Sequence, residues 1–177
     1  VSCGNQCCDP HNEGSGALQA NSSIIFDIFP CSQKSGYFGD LSRTVVKGKA
    51  SSRLKKAYQT VLEGQQIALK KIKDEVDGKD VHNAIQDFFK QKGFPTRKGK
   101  KRMEGFFHGT GHGVGLDVHE HPRISITSCI LKAGHVVTVE PGLYYPGMGG
   151  VRIEDVVLVT KTGMKKLTQY PNFLEIS

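Results

Sequence analysis

Apolar residues recur along this chain at two different spacings, and the change between them divides it into a helical middle flanked by segments of strand character. Between Ser51 and Ile72, the residues Leu54, Ala57, Tyr58, Val61, Leu62, Ala68, Leu69 and Ile72 return every three or four positions, the repeat that lines one face of an α-helix. Ser51 or Ser52 stands where a cap is wanted, because a short hydroxyl side chain can accept from the free N–H groups of a first turn. A second helix is predicted from near Asp80, with Val81, Ala84, Ile85, Phe88 and Phe89 on its apolar face and Gly93 and Pro95 as its stop. Both helices read as scaffold. His82, with no acidic or histidine partner at ligand spacing, reads as an ordinary surface or half-buried histidine.

The flanks are different. Ser23 to Phe29 is rich in residues that suit a strand, and a second strand is predicted to begin near Gly36, after a connector containing Pro30, Ser32 and Ser35. If these arms pair antiparallel, Asp27 and Asp40 face one cleft, because strand side chains alternate and cross-strand neighbours lie close. A carboxylate set among Ile24, Ile25, Phe26, Ile28 and Phe29 is costly unless it finds a partner, which separates Asp27 from an ordinary surface acid. From Phe106 to Thr168 the chain reads as short strands and Gly-rich turns, with Val136 to Val139, Leu143 to Tyr145 and Val151 to Val159 the clearest strands.

With 177 residues, 37% of them hydrophobic, the chain supports one sizeable core and one domain of α+β class. The 24 basic and 17 acidic residues leave a formal charge of +7, concentrated in Lys70, Lys71 and Lys73 and in Arg97, Lys98, Lys100, Lys101 and Arg102. No zinc-finger spacing or interleaved aromatic residues accompany these runs, so they read as a solvated helix face and a charged loop, with no nucleic acid as partner. The five cysteines are odd in number, no secretory leader opens the chain, and no apolar stretch approaches the roughly 18 residues of a membrane span, so a soluble, cytoplasmic protein is expected. Cys3, Cys7 and Cys8 lack metal-site partners and read as plain thiols.

The candidate chemistry lies in five short segments. HGTGHGVGLDVHEHP carries His108, His112, His119 and His121 among glycines that allow close backbone approach, and it is not the HExxH helix of a mononuclear zinc peptidase. In isolation this segment fits a structural loop equally well. TVEPG and GVRIED decide between the two, since Glu140 falls where a strand ends and Glu154 falls two residues after Arg152, on one face of a strand. Together with Asp27 and Asp40, they bring four carboxylates and the His112 imidazole to a set that suits two hard or borderline divalent cations. Carboxylates are expensive to gather in a partly buried cleft unless cations neutralise them, and two such ions share bridging carboxylates while activating one water.

The ordered set DIFP, GYFGDLSRT, HGTGHGVGLDVHE, TVEPGLYYPG and GVRIED resembles the C-terminal catalytic domain of the Xaa-Pro peptidases, the aminopeptidase P and prolidase group of the pita-bread metallopeptidases. The resemblance implies two halves of curved antiparallel sheet with helices outside and a dinuclear site in the cleft. It implies that Asp27 chelates one ion, that Asp40 and Glu154 bridge the two, and that His112 with Glu140 completes the other. Glu140 would carry the water proton, His108 and His119 would flank the substrate and stabilise its carbonyl, and His11 would reach in from the far wall. Tyr144 and Arg152 match positions that line or brace the site. Cleavage before a proline in the second position of a peptide is implied, with manganese the expected ion and cobalt, iron or zinc acceptable. The longer connector after Asp27 departs from the family pattern, and the family's opening helices would precede Val1, making residues 1–177 its catalytic domain without that start; homodimerisation is expected of the full-length protein. Two alternatives stay open: a non-catalytic pita-bread binding module, and a methionine aminopeptidase or creatinase-like hydrolase.

Overall fold

A computed structural model describes residues 1–177. Its first sheet is built on the antiparallel pair β2 (Ser23–Ile28) and β3 (Leu41–Lys47), with β1 (Ser2–Cys3) outside β2 and the last strand, β13 (Glu175–Ile176), running parallel to β3. The second sheet runs in the order β12 (Met164–Lys166), β11 (Asp155–Val159), β8 (Val136–Val139), β6 (Gly111–Gly113) and β7 (Glu120–Ile124), every neighbour antiparallel. The hairpin of β9 (Gly142–Tyr145) and β10 (Gly149–Arg152) joins the two sheets. There the Thr44 hydroxyl accepts from the Arg152 backbone N–H and donates to its carbonyl, both at 2.9 Å.

Two helices cover the outer side. α1 (Ser52–Lys71) starts on Ser51, whose hydroxyl accepts from the Leu54 N–H at 3.2 Å, and α2 (Gly78–Gln91) starts on Asp77, somewhat earlier than the apolar pattern indicates. They meet at Gly64, where a Cβ would lie 2.6 Å from the Phe89 ring, so only glycine lets the helices approach this closely. The core fills the space between the helices and the second sheet: Val61, Leu69, Ile85 and Phe89 pack with Val137, Val139, Ile153 and Val157. Full burial of side chains of this size stabilises by about 1.5–3 kcal/mol each. Strand alternation then sends Thr138, and after it Glu140, to the opposite face, which lines the cleft. The hairpin of β4 (Arg97–Lys98) and β5 (Met103–Glu104) is peripheral; its five cations are exposed, as a charged loop should be.

Three expectations need correction. The strand predicted to begin near Gly36 begins at Leu41, because Pro30 and the turn around Gly36 shape residues 30–39 into a connector pinned by the Gly39 N–H to Pro30 carbonyl bond and by Phe38 donating to the Gly115 carbonyl. Val151 to Val159 is not one strand. It breaks at Ile153 and Glu154, where the chain leaves β9 and joins β8, so Glu154 lies between strands rather than inside one. His82 is only 1% exposed, because α2 turns it under the 108–112 segment, where its Nδ1 is 2.9 Å from the Thr110 hydroxyl.

Candidate metal centre

The five predicted ligands reach one cleft from four directions. Asp27 on β2 faces Ser42 on β3 in the register, and Asp40, two residues before Ser42, is its diagonal neighbour on the same face. Glu140 follows the last residue of β8, and Glu154 occupies the break between β10 and β11. His112 is carried by β6, wedged between β8 and β7. A Cβ at Gly111 would lie 1.9 Å from the Thr138 carbonyl oxygen and one at Gly113 2.3 Å from that of His121, so glycine on both sides of His112 is what lets the three strands close.

The ligating atoms of Asp40, His112 and Glu154 lie within 4.8 Å of one another, and all three residues are buried. Glu140 Oε1 is 3.3 Å from His112 Nε2, and Asp40 Oδ2 is 3.8 Å from the same nitrogen. Asp27 stands beside this group and accepts from Arg152 Nη2 at 2.7 Å. The Ser42 hydroxyl joins the two sides. It accepts from Arg152 Nε at 2.9 Å and sits 2.8 Å from both Asp27 Oδ1 and Glu154 Oε2. A hydroxyl owns one proton, so it can donate to only one of those carboxylates; the other contact needs a protonated carboxyl or a cation drawing the oxygens together. The donor set therefore fits hard divalent ions: oxygens outnumber the protons and cations available to them.

Electrostatics tells the same story. Burial, then the neighbouring charge of Asp27, pushes Asp40 up to about 7, and burial with the charges of Glu140 and Asp40 raises Glu154 well above the carboxylate range. For Glu140, burial is outweighed chiefly by the hydrogen bond and charge of His112, so it is held below its ordinary value. Burial opposes a charge on His112, yet the hydrogen bond and charge of Glu140 raise it. One carboxylate is thus kept ionised at the expense of its neighbours.

His108 lines the cleft, whereas Tyr144, expected from the sequence to bind substrate, is fully buried against Cys7, Cys8 and Ile25 and supports His108 from behind. His108 Nδ1 lies 2.7 Å from the Gly109 carbonyl, which can only accept, so that nitrogen carries the proton and Nε2, 2.8 Å from the Tyr144 hydroxyl, is the acceptor. Burial lowers the pKa of His108 and pushes Tyr144 up to about 12, so both are neutral. Tyr144 also receives Arg152 Nη1 at 3.4 Å. His119 is exposed at the mouth with its ring edge-on to His112 at 4.3 Å, and His11 lines the opposite wall of a cleft of about 890 Å³. His121 is exposed and outside the cleft lining.

Sequence reading missed Ser42, Thr138 and Arg123. Ser42 was visible in principle, two positions after Asp40. Thr138, whose hydroxyl accepts from the His112 N–H at 3.0 Å, and Arg123, the cross-strand partner of His112 and part of the cleft lining, depend on strand register and leave no local signal.

Known proteins resemble this chain over most of its length. The profile of metallopeptidase family M24 matches residues 1–161. The Xaa-Pro dipeptidase of Pyrococcus furiosus is 34% identical over 171 residues, 96% of this chain and 46% of that protein. An uncharacterized peptidase of Bacillus subtilis, YqhT, is 39% identical over 168 residues, 94% of this chain and 45% of its own length. Among solved structures, an Xaa-Pro dipeptidase from Bacillus anthracis superposes with a TM-score of 0.90 at 34% identity, and an X-Pro aminopeptidase from Thermotoga maritima with 0.89 at 32%; each covers 99% of this chain and 48% of the other. The chain spans about half the length of the relatives it matches. On the family profile and the shared architecture together, the chain belongs to metallopeptidase family M24 and has the pita-bread fold.

Proposed function

We propose that this chain carries the catalytic centre of an Xaa-Pro peptidase, hydrolysing the bond that precedes proline. The observation that supports it most directly is the buried convergence of Asp40, His112 and Glu154, with Glu140 and Asp27 in the same cleft. In this reading those five residues would hold two divalent cations; manganese is the expected ion, and an oxygen-rich set of this kind also accepts cobalt, iron or zinc. The chemistry such a pair supplies when bound is acidification of a water and polarisation of the scissile carbonyl.

The chain's own residues do the rest. Glu140, at the strand end beside His112, takes the water proton and delivers it to the leaving nitrogen. A prolyl nitrogen has no N–H, so it leaves no donor to satisfy until that proton arrives. His119, beside His112 at the mouth, donates to the carbonyl oxygen as it gains charge. His108, neutral and held at Nε2 by the buried Tyr144 hydroxyl, lines the cleft beside the substrate, while Arg152 steadies Asp27. His11 closes the far wall. Arg123 has no acidic partner and stands on the cleft wall across from His112, where a guanidinium would receive the terminal carboxylate of a two-residue substrate. That favours dipeptides over longer peptides.

The test is metal analysis of the purified protein followed by assay of Xaa-Pro dipeptides and Xaa-Pro-Yaa peptides with added manganese. Two bound ions and cleavage before proline are expected. Two ions without turnover of either substrate class would discard the peptidase reading in favour of a binding module, and cleavage of Met-Ala peptides instead would reassign the substrate.

A further inference from the structure

A buried polar group lies on the opposite side of the sheet from the cleft, and no step of the proposed chemistry uses it. Gln65, in the middle of α1, is 0% exposed among Val61, Ala68 and Leu69, where an amide is costly unless it is fully paired. Its Nε2 lies 3.1 Å from the Val139 carbonyl, 3.3 Å from the Ile153 carbonyl and 3.0 Å from Asp155 Oδ2. Three acceptors converge on that one end, which fixes the orientation of the amide, and Oε1 is left buried without a partner.

The position of this amide explains why it is there. Val139 and Asp155 are the last rung of the β8–β11 ladder, and the next pair in the same register would be Glu140 opposite Glu154. That rung does not form: the Glu140 N–H goes to the Thr110 carbonyl at 2.8 Å, and the Glu154 N–H goes to the Ser42 carbonyl at 3.0 Å. The ladder opens into a fork with one carboxylate on each prong. Gln65 bonds the Val139 carbonyl at the base of one prong and, on the other, the Asp155 carboxylate at the base and the Ile153 carbonyl just beyond Glu154. From the other side Arg43 donates to the Ser42 and Glu154 carbonyls and, at 2.8 Å, to Asp155 Oδ1. Gln65, Asp155 and Arg43 thus form one bracket across the three strand ends that present Asp40, Glu140 and Glu154.

We propose that Gln65 is a positioning residue for the metal centre: its amide sets the separation of Glu140 and Glu154 and so the affinity of the cleft for its second ion. This rests on the two-ion reading above. Partners that orient metal ligands without touching the metal typically cost 10–100-fold in affinity when removed. Gln65→Met keeps the volume and removes the donor. In titrations of the metal-free protein with manganese, it should bind one of the two ions about 10–100-fold more weakly than wild type, and the visible spectrum of its cobalt form should change, with the far-ultraviolet circular dichroism unaltered. The milder Gln65→Asn, which withdraws the amide by one methylene, is read in the same way if the methionine variant does not fold. Wild-type affinity for both ions and an unchanged cobalt spectrum in either folded variant overturn the proposal, and so does failure of both variants to fold, which would make Gln65 a folding residue. A wild-type protein that does not bind two ions sinks the two-ion reading itself, so the two failures are distinguishable.

Discussion

Acid should destabilise this protein through a histidine that never meets substrate. Burial lowers His82 from 6.5 to about 4 in the folded state. Above pH 6.5 the imidazole is neutral in both states and has no effect on stability. As pH falls below 6.5 the unfolded chain takes up a proton that the folded chain refuses until about pH 4, so stability is lost across that window. The full gap corresponds to about 3 kcal/mol once both states are protonated, and to about 2 kcal/mol at pH 5. The assay is urea unfolding of metal-free wild type and of His82→Gln, whose amide can still bond the Thr110 hydroxyl, at pH 7 and pH 5. Titration of the clustered carboxylates is common to both proteins and cancels in the comparison, as does the constant cost of losing the His82 ring beside Phe106. The variant should gain about 2 kcal/mol on wild type between pH 7 and pH 5. A difference between the two proteins that is the same at both pH values would refute a neutral, buried His82.

Metal should stabilise the fold: manganese at 100 times its dissociation constant adds about 2.7 kcal/mol, reversed by chelator, and Asp40→Asn or Glu154→Gln should abolish most of that gain in thermal scans. Metal-free Glu154→Gln should melt above metal-free wild type, since it removes one of four crowded carboxylates; a lower melting point would contradict the repulsion inferred here. Arg123→Ala should raise KM for Xaa-Pro dipeptides roughly 10–100-fold, the worth of one charged hydrogen bond, and leave dipeptide amides nearly unaffected; equal effects on both would remove Arg123 from carboxylate recognition. Gly111→Ala, whose Cβ would collide with the Thr138 carbonyl, should lose at least about 3 kcal/mol in chemical denaturation, and a near-neutral result would show that β6 and β8 can part without penalty.

Residues whose meaning is local were legible before folding. The helix periodicity of α1, the Ser51 cap, the strand ending at Glu140 and the five ligand segments all depend on neighbours within a few positions, and the structure brings Asp40, His112, Glu140, Glu154 and Asp27 to one cleft as those segments suggested. What the sequence could not contain is the register between distant strands. It is tertiary packing that breaks Val151 to Val159 at Glu154, because the chain must change partners there, and that buries His82 beneath Thr110. The same packing sets Gln65, one polar position on an apolar helix face, against the two carbonyls left open where β8 and β11 part. A chain can specify by itself which side chains are able to bind a cation. Their separation belongs to hydrogen bonds between distant residues, such as the Glu154 N–H to the Ser42 carbonyl and the Glu140 N–H to the Thr110 carbonyl, and so only the assembled sheets determine it.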